Sequence, residues 1–305
     1  MQTKTPKISV LMSAYNSEKY IAEAIESILK QTFSDFEFII INDGSIDDTP
    51  KIIERYAQQD KRIHFINNKQ NQGLIGALNQ GLSVCRGEYI ARMDSDDISL
   101  PTRFAQQVKY MDTHPECGAL SGWIQRFGPC VSTKTLTSIK TVRLLDFLIR
   151  GCMVFNPCSM IRHSVLIKNN IKYNPEYKYA EDFGFWVEIC KCSEIHNLQT
   201  VLLKYRWHDS NISIVHKKTQ FECAERIRRN ILIKLISSQD DIKKLLHMTR
   251  EVNERFYLFG ILPILRRKQY SIFKTKYYLF EKIPLFKEKD GKIYIFEYLK
   301  IGTIK

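Results

Sequence analysis

The amino-acid sequence predicts an α/β fold: a mostly parallel sheet flanked by helices, followed by a basic, mainly helical extension. Three observations carry that expectation. Short apolar runs alternate with helical periodicity over the first hundred residues, each run ends in a polar turn, and the charge is divided unevenly along the chain.

Ile8 to Met12 is a continuous apolar run, as a strand buried on both faces requires. Polar residues Ser13 to Asn16 follow. The spacing of Ile21, Ala24, Ile25 and Ile28 then predicts a helix over 17–30, with Ser17 as its N-cap. Phe36 to Ile41 is a second apolar run, stopped by Asn42-Asp43-Gly44-Ser45, and Asp48-Thr49 opens the next helix. A third strand is expected over 63–66, a third helix over 74–84 and a fourth strand over 88–93 that leads straight into Asp94. Farther on, helices are expected over 101–113 and 180–192 and strands over 119–127 and 201–207, while residues 130–150 show no clear period.

In parallel sheets the ligand site lies beyond the carboxyl ends of the strands. The turns at Ala14-Tyr15-Asn16, Asp43-Gly44-Ser45 and Asp94-Ser95-Asp96 should therefore share one edge. Two carboxylates two residues apart can both reach one hard cation, and Mg²⁺ or Mn²⁺ completes its shell with water and phosphate oxygens. The same residues also describe a solvated acidic turn in which Asp96 or Asp97 caps the next helix. Position after a buried strand, beside two other polar turns, favours the metal. Asp43 is open to two readings: an acceptor for a base or ribose, or an Asx-turn that organises Gly44 and Ser45.

The net charge is +13 over 305 residues. Residues 1–215 hold 25 Lys+Arg against 23 Asp+Glu, and residues 216–305 hold 21 against 10. A nearly neutral body suits chemistry, and a basic tail suits an anionic surface. Tail aromatics such as Tyr277, Phe286 and Tyr294 are interleaved with Lys and Arg, as in membrane-surface elements. An ordinary subdomain with a solvated basic face has the same composition, and no recognised nucleic-acid module accompanies the charge. The eight cysteines include no Cys-x-x-Cys pair and are expected as reduced, buried thiols. With no secretory signal and no apolar run of about 20 residues, a cytoplasmic protein is expected, free or held at the membrane face.

The segments Ile8–Asn16, Ile41–Thr49 and Ile90–Asp97, with Asn71-Gln72-Gly73 and Asn79 between them, resemble glycosyltransferase family 2. The likeness covers about residues 6–215. It implies a GT-A fold, with a nucleotide-binding half to about residue 100 and an acceptor half to about 215. It also implies an enzyme that transfers one sugar with inversion, from a nucleotide-diphosphate sugar such as a UDP-sugar to a saccharide or lipid-linked acceptor of a surface glycan. By that likeness Ala14, Tyr15, Asn16, Glu18, Asp43, Asn71, Gly73, Asp94 and Ser95 bind the nucleotide, and Asp94 and Asp96 bind Mn²⁺ or Mg²⁺, with His208 near the metal or diphosphate. Asp182 becomes the general base and Glu181 its support, although two acids at a helix start also suit the helix dipole. Asn156 stands where the family more often has His, and Arg206-Trp207 lacks the upstream Gln of processive synthases, which points to single addition. A sugar-nucleotide pyrophosphorylase is the nearest enzymatic alternative, but Ser13-Ala14-Tyr15-Asn16 is neither Gly-rich nor basic.

Overall fold

Two strands buried along almost their whole length, β1 (Ile8–Ala14) and β2 (Phe36–Asp43), form the centre of the molecule in the computed structural model. The structure describes residues 5–128, 131–135, 139–149, 151–209, 211–235 and strand segments between 255 and 303. The α/β pattern continues with α1 (Ile21–Leu29), α2 (Thr49–Gln59), β3 (Ile63–Asn68), α3 (Gly73–Val84), β4 (Tyr89–Asp94), β5 (Ile98–Ser99) and α4 (Arg103–Thr113). Next come β6 (Cys117–Gly128), β7 (Val131–Thr135), β8 (Thr141–Val142), α5 (Leu144–Ile149), β9 (Met160–Arg162), α6 (His163–Asn169), α7 (Glu181–Cys190), β10 (Glu194–Arg206), α8 (Ile212–Val215) and α9 (Lys217–Leu235).

The main sheet runs β3-β2-β1-β4-β9-β6-β10-β5. Its long pairings, β2 with β3, β1 with β2, β1 with β4 and β6 with β10, are parallel. The three-residue β9 is antiparallel to both β4 and β6 and joins two parallel halves that no sequence pattern announces. Alternation along β1 sends Ile8, Val10, Met12 and Ala14 into a core shared with Ile25 of α1, Ile53 of α2 and Phe104 of α4. Leu11 faces the opposite layer, where α3 comes so close that a Cβ on Gly81 would collide with it.

One expectation about the first helix is corrected. Ser17 does not cap α1, which starts at Ile21 without a side-chain cap; the Ser17 hydroxyl instead lies 2.8 Å from that of Ser95, and its amide donates to Thr49 Oγ1 at 2.7 Å. Residues 16–20 are spent on joining two turns, so the helix begins one turn late.

The chain divides into two compact units. The first comprises Met1–Leu144 and Cys152–Glu225, and the second comprises Leu145–Gly151 and Arg226–Lys305. The expectation of a mainly helical extension is also corrected. Lys217–Leu235 is helical, but β11 (Arg255–Leu258), β12 (Leu262–Ser271), β13 (Lys274–Leu279), β14 (Ile283–Lys289), β15 (Lys292–Ile295) and β16 (Leu299–Thr303) form a six-stranded antiparallel meander. Its Tyr, Ile, Phe and Thr content favours strands, and the helical spacing around Ile227 and Ile231 ends before it begins. Among the described residues no helix is long and apolar enough to cross a membrane, and Cys85, Cys117, Cys158 and Cys192 are free thiols.

Candidate active site

The turns after β1 and β2 are bolted together by reciprocal hydrogen bonds. The Asn16 amide donates to Ser45 Oγ at 2.9 Å, while the Ile46 amide donates to Asn16 Oδ1 at 3.0 Å. The Glu18 amide donates to Asp47 Oδ2 at 3.1 Å, and the Asp48 amide donates to Glu18 Oε2 at 2.9 Å. Asn16 adopts a left-handed φ of 48° to make this exchange, a conformation that Asn tolerates better than most residues. Tyr15, beside it, leaves its ring 49% exposed above the strand end.

Asp43 ends β2 fully inside the protein, and its Oδ1 accepts the Gln72 amide at 2.9 Å and Asn68 Nδ2 at 3.3 Å. The Asx contact belongs to its neighbour, since Asn42 Oδ1 accepts the Ser45 amide at 3.4 Å. Gly44 is required on two counts: its φ is 72°, and a Cβ there would stand 2.6 Å from the Asn71 nitrogen. Asn71 Oδ1 in turn accepts the Gly73 amide at 2.8 Å and shapes the start of α3. Ser95 meets the same edge through its hydroxyl, 2.8 Å from that of Ser17.

Asp94 lies at the end of β4, where Arg92 Nη2 donates to its Oδ1 at 2.6 Å. Asp96 Oδ2 is 2.9 Å from His208 Nε2, and the His208 ring stacks on Tyr20 with 5.3 Å between centroids. Burial and the neighbouring Asp94 charge push the Asp96 pKa up, against the opposing pull of His208. Asp97 is fully buried and accepts the Arg206 amide at 2.8 Å, so it does not cap α4. Its Oδ2 has no hydrogen-bond partner among the described residues, and burial with the adjacent Asp96 and Asp94 charges raises its pKa well above the ordinary carboxylate range. A second arginine, Arg103, lies behind this turn, wholly buried, donating to the Arg92 carbonyl at 2.7 Å and the Ser159 carbonyl at 3.1 Å.

Glu181 and Asp182 open α7, and the Phe183 amide donates to Asp182 Oδ1 at 2.7 Å. Glu181 is 8% exposed; burial first, and the Asp182 charge second, push its pKa up to about 7. Asp182 is raised as well, by burial and then by the Asp94 charge, against the Phe183 amide. That coupling puts the α7 acids within the electrostatic field of the β4 turn. Arg92 carries both sides: burial disfavours its charge, but attraction to Asp94, Tyr173 and Glu181 outweighs that cost and raises its pKa.

Tyr173 completes the cluster. It is 2% exposed, lies within the electrostatic reach of Arg92 and stacks on Phe185 of α7 with 4.2 Å between centroids. Its backbone is clamped from both sides by Asn79 of α3, at 2.9 Å and 2.8 Å.

The sequence-based candidates thus fall on one sheet edge with α7 beside it. Arg92, Tyr173 and Arg103 were not among them. An arginine inside the otherwise apolar run Tyr89-Ile90-Ala91-Arg92-Met93 was the available signal, because a buried guanidinium demands acidic partners. Asn156, in a short 3₁₀ turn beside β4, has a buried Oδ1 without a partner among the described residues.

An uncharacterized glycosyltransferase of Haemophilus influenzae is 36% identical over 249 residues, covering 78% of this chain and 77% of its own length. The O-antigen biosynthesis glycosyltransferase WbnJ of Escherichia coli is 33% identical over 234 residues, covering 74% and 89% respectively. The crystal structure of S. aureus TarS 1-349 in complex with UDP-GlcNAc superposes with a TM-score of 0.63 at 23% identity, covering 74% of this chain and 66% of that one, just under two thirds. That last likeness is one of fold, the GT-A arrangement. The model of glycosyl transferase family 2 matches residues 9–169, and with the relatives above it establishes that the chain is a glycosyltransferase belonging to family 2.

Proposed function

We propose that the enzyme transfers one sugar from a nucleotide-diphosphate sugar, UDP-linked, to a saccharide or lipid-linked acceptor in surface-polysaccharide synthesis, with inversion at the anomeric carbon. The observation that carries this reading is the juxtaposition of the Asp94–Asp96 turn with the Glu181–Asp182 pair through Arg92 and Tyr173. On this reading Tyr15, Asp43 and the Asn71–Gly73 turn take the nucleoside, with Ala14, Asn16, Glu18 and Ser95 shaping the pocket around it. Residues 1–215 carry the catalysis, and the basic residues beyond 216 lie against an anionic membrane surface.

Asp94, Asp96 and His208 would hold a divalent cation, Mn²⁺ or Mg²⁺. The donor set fits: two carboxylates are hard oxygen ligands and the imidazole a borderline one, and the raised pKa of Asp96, from burial first and the Asp94 charge second, marks a buried charge that a cation would stabilise. Phosphate and water oxygens would complete the shell. When bound, the cation supplies charge stabilisation to the departing diphosphate.

Asp182 takes the proton of the acceptor hydroxyl as that oxygen attacks the anomeric carbon. The bond from that carbon to the diphosphate oxygen breaks, and the electron pair leaves with the nucleotide. Attack opposite the leaving group inverts the centre. A carboxylate whose pKa is raised by burial is a stronger base than an exposed one. Glu181, adjacent and pushed to about 7, keeps a second proton site beside it.

The test is to incubate the full chain with Mn²⁺ and a panel of UDP- and GDP-sugars and to measure nucleotide diphosphate release without added acceptor. Release from one donor, lost in Asp96→Ala and Asp182→Ala, is expected. No binding or turnover of any donor, or undiminished turnover in both variants, sinks the proposal.

A further inference from the structure

The loop that leads into α7 is held from outside by residues just beyond position 215. Tyr179 has a left-handed φ of 68°, which a bulky side chain adopts only when its surroundings enforce it. Its ring stacks on His216 with centroids 3.8 Å apart and planes 7° from parallel. His216 is itself fixed at the junction of α8 and α9: its amide donates to the Ile212 carbonyl at 2.9 Å, and its carbonyl accepts the Gln220 amide at 2.9 Å. A second brace comes from Cys223 of α9, whose thiol lies 3.6 Å from the Glu176 carbonyl on the same loop.

Inside the loop, Asn174 accepts the Glu176 amide at 2.9 Å, and the Ala180 amide returns to the Tyr177 carbonyl at 2.8 Å. The Tyr177 ring fills the space that a Cβ on Gly184 of α7 would need. Asn174, Glu176, Tyr177 and Ala180 are thus tied back within the loop, while Tyr179 is turned against its own preference. The backbone of Tyr179 favours the ionised form of the Glu181 carboxylate, against its burial. The strained residue and the acid it serves are two positions apart, and the only aromatic partner recorded for the Tyr179 ring among the described residues is His216.

We propose that His216 is a positioning residue: its imidazole braces Tyr179, holds the left-handed turn there, and so fixes the Glu181–Asp182 pair at the start of α7. This rests on the reading of those two acids as the acceptor-side acid and base. The brace places a residue from outside the sequence-defined catalytic region in control of the proton-handling end of the site.

The groups facing Glu181 are Asp182 on α7, Arg92 on β4, Tyr173 and the Tyr179 backbone. Displacing the Tyr179 backbone, which favours the ionised form, moves the Glu181 titration upward. The experiment is thermal unfolding of the full chain against pH for the parent, His216→Ala and His216→Phe, each also in a Glu181→Gln background. The stability difference caused by Glu181→Gln isolates the titration of that one group. In His216→Ala its midpoint is expected to rise by roughly one pH unit, the equivalent of one hydrogen bond to a charged group, and His216→Phe, which keeps a flat ring, is expected to restore it. Acceptor-free nucleotide diphosphate release from the same panel of sugars is expected to fall roughly three- to tenfold in His216→Ala, with donor KM unchanged and recovery in His216→Phe.

A midpoint that stays in place in His216→Ala overturns the brace, whatever the turnover does. If the midpoint moves as expected while Asp182→Ala leaves turnover intact, the brace stands as a structural device and the assignment of the acid pair falls.

Discussion

The two acidic groups of the site are built in opposite ways. On the donor edge, Asp43 receives the Gln72 amide, Asp94 receives Arg92, and Asp96 receives His208. At the start of α7, Glu181 and Asp182 sit together, both with raised pKa values, and backbone hydrogen bonds offset only part of their burial. The first arrangement gives each carboxylate a donor that fixes it in place, as a ligand-holding site needs. The second keeps protons within exchange range near neutral pH, as acid–base chemistry needs. Position on the sheet sets the difference: strand ends offer neighbouring loops as partners, whereas a helix start buried against Tyr173 and Phe185 offers little beyond its own amides.

That contrast breaks most cleanly at Asp182. Asp182→Asn is expected to lower kcat by roughly 10²- to 10⁴-fold, the usual worth of a positioned general base, while donor KM stays within about twofold. A rise in KM with kcat preserved would move Asp182 to the donor side. His208→Ala is expected to weaken activation by Mn²⁺ by roughly 10- to 100-fold, read as the metal concentration for half-maximal turnover. An unchanged metal titration would leave His208 as a stacking partner of Tyr20 only.

The smallest effect is on stability. Glu181 has an unperturbed pKa of 4.5 and a folded value of about 7. Between those values the folded chain binds more protons than the unfolded one, so this group makes stability fall as pH rises from 4.5 to about 7, with no further change above. Glu181→Gln removes that fall. The variant is expected to match the parent near pH 4.5 and to exceed it by on the order of 2 kcal/mol at pH 8, less than the full shift because the proton is shared with Asp182. Parallel melting curves across this range would show that Glu181 ionises normally.

Much of the sheet edge was legible because β1 and β2 announce themselves as largely apolar runs, each stopped by a polar turn. Ile8 to Met12 and Phe36 to Ile41 could hardly be anything but strands buried on both faces. The acceptor side was less legible, since Tyr173 reaches Arg92 across 81 residues of chain and reveals itself only through packing. The late start of α1 has the same origin: Ser17 reads locally as a cap, yet its hydroxyl is claimed by Ser95, 78 residues away. Short β9 carries too few residues for any period to register, although it joins the two parallel halves of the sheet. In the extension, helical spacing near Ile227 was extrapolated past Leu235 into residues whose aromatic and β-branched content favours strands.

Reciprocal bonding between the β1 and β2 turns has a consequence for how such a chain can change over generations. Surface loops ordinarily accept insertions and drift freely. Here Asn16 serves Ile46 while Ser45 serves Asn16, and Glu18 serves Asp48 while Asp47 serves Glu18. Adding a residue to either loop would misalign four bonds at once, so their lengths are locked to each other. Viable variation at positions 16, 18, 45 and 47 should therefore arrive as paired substitutions, and the two loops should be inherited as one unit.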